Sequence, residues 1–222
     1  YRSSAFWLAL SIATKFFPIV IIPAIGIYFL KGRKYLELVN YIAIVVTVWI
    51  LINLPFFIVN REGWFYFYKF SFERGLGGGF FYEIFQKLGF EVRFSNIAVY
   101  LLNLLIFSAI ITYLVICKTN YSPIMTSVLF LFAFTFFNKQ YSMQYVIWLA
   151  PFSLLAIQPF KRKKRKQLVL TYFCWQICEV IFQYAFFQNI LTNMSMSQTE
   201  NFAQLTVPDF TYGIISLIRY CS

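Results

Sequence analysis

Seven long apolar runs, separated by short polar or basic segments, dominate this sequence. Of its 222 residues, 60% are hydrophobic and 12% are charged, and the mean hydropathy is +0.68. A soluble domain usually has about a quarter of its residues charged. Runs of about 20 apolar residues are typical of helices that cross a membrane. We therefore expect an all-α fold, a polytopic transmembrane helix bundle. The predicted spans are residues 5–30, 35–59, 95–117, 122–138, 142–159, 167–191 and 210–222.

The two ends of the sequence suggest a fragment. The chain begins at Tyr1 without the basic stretch of a signal peptide. The last apolar run, 210–222, is shorter than the roughly 20 residues that a crossing helix needs. We therefore expect residues 1–222 to form a single transmembrane domain, part of a longer protein truncated at both ends.

Basic residues alternate between the connections in a way that predicts orientation. Three lie at Lys31, Arg33 and Lys34, one is Lys118, and six form the run Lys161–Lys166, together ten of the 19 lysines and arginines. Cytoplasmic connections carry an excess of such residues, so this side is predicted to be cytoplasmic. The expected membrane is the plasma membrane in a bacterium or archaeon and the endoplasmic reticulum in a eukaryote. The predicted outer side holds the connections 60–94 and 192–209 and the polar segment 138–151.

Other classes of function fit the composition poorly. The net charge is +11, but the basic residues lie between apolar runs and no RNA-binding motif accompanies them, so we expect no nucleic-acid partner. The four cysteines fall in or at the ends of apolar runs, and there is no histidine to complete a mixed zinc site. We expect neither a metal nor a cofactor.

The connection 60–94 is aromatic rather than hydrophilic. A glycine cluster at 75–79 divides it, and the segment after the cluster has an apolar and a polar helical face. This pattern predicts interfacial helices that lie in the plane of the membrane surface. Two interpretations of the cluster remain open: a flexible joint between the two helices, or a site where Arg74 meets an anionic headgroup.

Lys15 and Glu179 are charged residues inside predicted spans, where a charge is costly and often functional. Lys15 precedes Pro18 and Pro23, which permit a bent or broken helix, and we expect its amine in the outer half of the membrane. Glu179 lies near the middle of its span. It is either a functional carboxylate or a neutral structural acid bonded to another helix, with Lys15 or Lys139 as possible partners.

Two segments carry a resemblance to a known family. They are ATKFFPIVIIPAIGIYFLKGRK at 13–34 and NKQYSMQYVIWLAP at 138–151. Together, in this order, they resemble the GT-C superfamily of membrane glycosyltransferases, nearest to glycosyltransferase family 87 and the glycosylphosphatidylinositol mannosyltransferases. Met143 departs from the pattern, since proline is frequent there in the family.

The resemblance implies transfer of a hexose, typically mannose, from a polyprenyl-phosphate donor to a lipid or glycan acceptor on the outer or lumenal face. Its implied catalytic base is an acidic residue upstream of Tyr1, so no catalytic residue is named here. Cations on the outer face suit the phosphate of the leaving group. The predicted substrate-binding residues are Lys139, Arg74, Lys15, Asn138, Gln144 and Tyr145.

Alternative functions use some of the same features. A transporter or lipid flippase also has broken helices and charges within the membrane, but no internal repeat is visible here. A structural subunit of a membrane complex would not need the lysines. A large aromatic connection on one face favours an enzyme that acts on a lipid substrate.

Overall fold

The structure is a computed structural model and describes residues 1–73, 81–90, 95–117, 121–138, 144–195 and 207–221. Its described residues form helices and no β-strand, which confirms the all-α prediction. The helices are α1 Arg2–Thr14, the 3-10 helix η1 Phe17–Ile21, α2 Ile22–Lys31, α3 Tyr35–Val59, α4 Arg61–Glu73, α5 Phe81–Lys87, α6 Asn96–Ile116, α7 Pro123–Phe137, α8 Gln144–Ile157, α9 Arg162–Ser195 and α10 Asp209–Cys221.

Three helices are long and apolar enough to cross a membrane: α3, α6 and the part Arg162–Ile190 of α9. Few of their residues are covered by the rest of the protein. In the most apolar stretch of α3, only 6% of the residues are buried. A helix that is apolar on all sides needs either a protein core or lipid around it. Since the core does not cover these helices, the fold is compatible with a membrane protein.

The other predicted full spans are shorter than expected. The runs 122–138 and 142–159 form α7, with 15 residues, and α8, with 14 residues. Each is therefore about 22 Å long, less than the roughly 30 Å of a hydrocarbon core. α7 ends at Phe137, directly before Asn138, whose amide side chain belongs in a wet environment.

The chain divides into two compact units. The first unit comprises Tyr1–Arg74 and Leu104–Phe134, and the second comprises Gly75–Asn103 and Thr135–Ser222.

The first unit contains a helical hairpin where one continuous span was predicted. The ring of Tyr1, before α1, lies 6.1 Å from the ring of Phe29 near the end of α2. Since α1 has 13 residues and is about 20 Å long, this contact requires the chain to reverse between α1 and α2. The prediction that residues 5–30 cross the membrane once is therefore wrong, although the break in the helix was anticipated.

Local chemistry explains where this hairpin turns. The Thr14 hydroxyl donates hydrogen bonds to the carbonyls of Leu10 and Ser11, at 3.1 and 2.9 Å. Lys15 then adopts an extended backbone, with φ −154° and ψ 117°. Pro18 lies in the first turn of the 3-10 helix and Pro23 in the first turn of α2. Proline suits the first turn of a helix, where its missing N–H is not needed.

Small residues let the two arms of the hairpin pack with α3. Ala5 and Ala9 of α1 are fully buried against Phe29 of α2 and against Tyr41 and Val45 of α3. A side-chain hydrogen bond of 3.2 Å joins the hydroxyls of Ser4 and Tyr41. The start of α1, the end of α2 and the first turns of α3 therefore lie at the same end of this unit.

The aromatic helix α4 lies at the opposite end of α3. The Trp64 indole N–H donates to the Asn53 side-chain oxygen at 3.1 Å, which ties α4 to α3. Asn60 connects the two helices, and its side-chain oxygen accepts from the Gly63 N–H at 2.8 Å. The predicted helices in the connection 60–94 are present as α4 and α5. The glycine cluster at 75–79 lies outside the described residues.

The basic run belongs to a helix rather than to a loop. Residues 162–166 form the first turns of α9, which has 34 residues, whereas the predicted span begins at residue 167. Cations at a helix N-terminus oppose the helix dipole. The basic run therefore does not stabilise the start of α9 through the helix dipole. Helix stability does not explain why these residues lie there.

Candidate functional site

Four of the six predicted binding residues are described by the structure. Lys139 and Arg74 lie outside the described residues. Lys15 belongs to the first unit, and Asn138, Gln144 and Tyr145 belong to the second.

Lys15 lies at the tip of the hairpin between α1 and the 3-10 helix, and it is exposed. The next residue, Phe16, contacts Tyr68 of α4 with ring centroids 5.8 Å apart. Burial raises the pKa of the Tyr68 phenol above its usual range. The tip therefore places a lysine beside the aromatic surface of α4.

The polar segment 138–151 begins with two of the predicted residues close together. The Asn138 amide donates to the Tyr145 hydroxyl at 3.4 Å, across the gap between α7 and α8. The Tyr145 ring lies 5.5 Å from that of Trp148. Gln144 is the first residue of α8 and is exposed. These contacts bring Asn138 and Tyr145 together at the connection that contains Lys139.

A neighbouring helix fixes the end of α7. The Asn103 amide of α6 donates to the Phe137 carbonyl at 2.6 Å and to the Val99 carbonyl at 2.9 Å. Its side-chain oxygen has no hydrogen-bond partner in the described part of the chain. Asn103 therefore satisfies a carbonyl at the end of α7, directly before Asn138, and was not recognised from the sequence.

A second polar group, which we call the α5–α9–α10 cluster, consists of Lys87, Asn189 and Asp209. The Lys87 ammonium lies 2.7 Å from a carboxylate oxygen of Asp209 and 3.4 Å from the Asn189 side-chain oxygen. The Asn189 amide donates to Asp209 at 2.8 Å and to the Val207 carbonyl at 2.9 Å. The cluster ties the end of α9 to the start of α10 and to α5.

A buried ion pair lies further along the same two helices. Arg219 of α10 and Glu179 of α9 are 3.7 Å apart, and both side chains are at least 96% covered. The Arg219 guanidinium lies 4.1 Å from the ring centroids of Phe182 and Tyr220, and the Trp175 indole donates to Glu179 at 3.2 Å. The acid singled out from the sequence therefore pairs with an arginine.

One feature of the sequence pointed to Arg219 as a residue that needs a partner. Arg219 is the basic residue of the last apolar run, where an uncompensated charge is costly. Its distance of 40 positions from Glu179 hid the pairing, because only the antiparallel packing of α9 and α10 brings the two together.

The described residues offer no metal site. No group of three or more histidine, cysteine, aspartate or glutamate side chains among them is arranged to hold an ion. The chain matches no protein-family model, no curated protein and no solved structure.

Replacing Asn189 by alanine is expected to loosen the α5–α9–α10 cluster. Asn189 is 5% exposed, and its loss leaves the Val207 carbonyl and Asp209 without its hydrogen bonds. An unsatisfied buried polar group costs about 1–3 kcal/mol. Faster hydrogen exchange in α5 and the start of α10 would reveal the change. Thr171→Ala, at an exposed position of α9, is the control, and equal exchange rates in the two variants would contradict the assignment.

Proposed function

We propose that this chain belongs to a multi-pass membrane glycosyltransferase. It transfers a hexose, typically mannose, from a polyprenyl-phosphate donor to a lipid or glycan acceptor on the outer or lumenal face. In this proposal the basic connections face the cytoplasm, and α4 and α5 lie in the outer interface. The membrane is the plasma membrane in a bacterium or archaeon and the endoplasmic reticulum in a eukaryote.

One observation carries the proposal: both segments that resemble the GT-C superfamily fall where short apolar helices end. The 13–34 segment contains the hairpin tip with Lys15, and the 138–151 segment begins at the gap between α7 and α8. Polar side chains at helix ends can reach a ligand at the membrane surface without exposing backbone groups to lipid. This arrangement supports a site for an amphipathic donor.

The proposed chemistry assigns distinct tasks to these residues. The bond between the anomeric carbon of the sugar and the phosphate oxygen breaks, and the acceptor hydroxyl oxygen forms the new glycosidic bond with inversion. The acceptor's proton passes to an acidic base, and polyprenyl phosphate leaves with the bonding electrons. Lys15, Lys139 and Arg74 are proposed to stabilise that negative charge. Asn138, Gln144 and Tyr145 are proposed to hydrogen-bond the sugar or the phosphate.

A transporter or lipid flippase is the second candidate, and the Glu179–Arg219 pair favours it. Ionisable side chains buried between membrane helices mark substrate and proton pathways in many transporters. In that case the pair would take part in movement of the substrate across the bilayer rather than in bond cleavage.

The two functions separate in one experiment on the purified protein in proteoliposomes. We expect radiolabelled sugar to move from polyprenyl-phosphate mannose to an acceptor glycan, with free polyprenyl phosphate formed in equal amount. Movement of intact donor between the leaflets without cleavage would replace the enzyme proposal by the flippase. Liposomes without protein serve as the control for spontaneous hydrolysis and exchange.

A further inference from the structure

An amphipathic cleft lies in the first unit, away from the hairpin tip. It has a volume of about 360 Å³ and is formed by the end of α2, the end of α6 and the start of α7. Lys31 and Tyr28 line one wall, Tyr121 and Ser122 line another, and Leu114 contributes apolar surface. The cleft lies next to Arg33 and Lys34, at the basic end of the hairpin.

The cation of this cleft is held in place by the protein. The Lys31 ammonium donates a hydrogen bond of 2.7 Å to the Cys117 carbonyl at the end of α6. A helix C-terminus attracts positive charge, so this contact fixes the ammonium at the cleft wall. A fixed cation loses less conformational freedom when an anion binds than a free lysine does.

The hydroxyl groups of the cleft are suited to the same ligand. Ser122 caps α7, and its oxygen accepts from the Met125 N–H at 3.2 Å. Its own O–H bond remains a donor, and the Tyr28 hydroxyl adds another. The Tyr121 hydroxyl, which also hydrogen-bonds with the Tyr113 phenol, lines the same cleft. No carboxylate lines the cleft in the described part of the chain. Donors without acidic neighbours select an anion, and several converging donors suit a phosphate group.

The surroundings indicate where this anion comes from. Leu114 belongs to α6, one of the three candidate membrane spans, and the residues that flank it on this helix, Tyr113 and Val115, are 61% and 46% exposed. The cleft therefore opens next to an apolar helix face. Pockets with basic residues at the cytoplasmic ends of membrane helices bind anionic lipid headgroups. A soluble phosphate would gain nothing from this apolar surface. A phospholipid, in contrast, can place its headgroup in the cleft and its chains against α6.

We infer that this cleft binds the phosphate headgroup of an anionic phospholipid from the leaflet at the basic end of the helices. Lys31 pairs with the phosphate, the hydroxyls of Tyr28, Tyr121 and Ser122 hydrogen-bond it, and the lipid chains lie along α6. This site is separate from the proposed donor site, and its existence does not depend on sugar transfer.

Native mass spectrometry of the detergent-purified protein tests the inference with phosphatidylserine as the added lipid. Lys31→Gln is expected to lower the retained phosphatidylserine about fivefold, since one basic residue near an anionic lipid contributes roughly that factor. Lys34→Gln is the matched control, because it removes an equal charge three residues away, outside the cleft, and should retain the lipid. An equal loss in both variants would indicate unspecific attraction and overturn the site.

Three further measurements of phosphatidylserine binding complete the test. Lys31→Arg retains the charge and should bind phosphatidylserine, and loss of binding in a folded Lys31→Arg protein would count against an ion pair. Removing both phenols with Tyr28→Phe and Tyr121→Phe should weaken binding even if Lys31→Gln fails to fold, and unchanged binding would overturn the role of the hydroxyls. Displacement of the lipid by inorganic phosphate at equal concentration would assign the cleft to a soluble anion and overturn the lipid source.

Discussion

Replacing Arg219 by methionine is expected to destabilise the second unit by about 3–5 kcal/mol, the cost of breaking a buried ion pair on one side. Both partners are almost completely covered, so Glu179 would lose its ion-pair partner at a position that water cannot reach. Loss of the guanidinium also removes its contacts with the Phe182 and Tyr220 rings, each 4.1 Å away. The measurement is reversible unfolding in mixed micelles, followed by tryptophan fluorescence, to which Trp175 beside Glu179 contributes.

A double variant tests whether the stability comes from the ion pair itself or only from the size of the Arg219 side chain. Removing both charges, with Glu179→Leu and Arg219→Met, should recover most of the lost stability, because replacing a buried ion pair by apolar residues is often neutral. Arg165→Met, at an exposed position in the first turns of α9, is the control and should be close to neutral. If Arg219→Met unfolds no more easily than Arg165→Met, the pair does not stabilise the fold.

Replacing Lys15 by methionine, or Lys139 by alanine, is expected to slow sugar transfer about a hundredfold, which is typical of losing one group that stabilises charge in a transition state. Lys15 lies at the hairpin tip beside the aromatic helix α4, and Lys139 follows Asn138 directly. Each is proposed to meet the phosphate as negative charge develops on it. The measurement is the initial rate of sugar release from polyprenyl-phosphate mannose at equal amounts of folded protein.

The matched control for these two lysines is Lys69→Met. Lys69 lies on the same aromatic helix, but its side chain is 68% exposed and its ammonium lies 4.0 Å from Glu73. Its loss should leave the rate within a factor of about two, as for most exposed ion pairs. Wild-type rates in both the Lys15 and Lys139 variants would remove the two lysines from the site.

Features of the fold that depend on neighbouring residues in the sequence could be predicted, whereas features that depend on tertiary contacts could not. The apolar runs predicted helices at α3, α6 and α9, because hydrophobic length alone identifies such helices. Pro18 and Pro23 predicted the break after Lys15. The reversal of the chain at that break could not be predicted, since it depends on Ala5 and Ala9 fitting against α2 and α3, a tertiary contact.

The candidate site divides in a similar way. Local polarity identified Asn138 and Tyr145, and their contact follows from the closeness of α7 and α8. Glu179 stood out as an acid in an apolar run, but its arginine partner required the antiparallel packing of two helices. Asn189 and Asp209 gave no such signal, because polar residues near predicted span ends are ordinary. Their roles depend on α5, which is distant in sequence.

The hairpin of α1 and α2 has a consequence for membrane insertion. Its two arms return the chain to the end at which they begin, so the hairpin adds an even number of crossings to the proposed topology. The orientation of α3 and every later helix is therefore independent of how deeply the hairpin enters the bilayer. Because the hairpin packs against α3 through Ala5 and Ala9, it accompanies that helix and leaves the basic side of the protein unchanged.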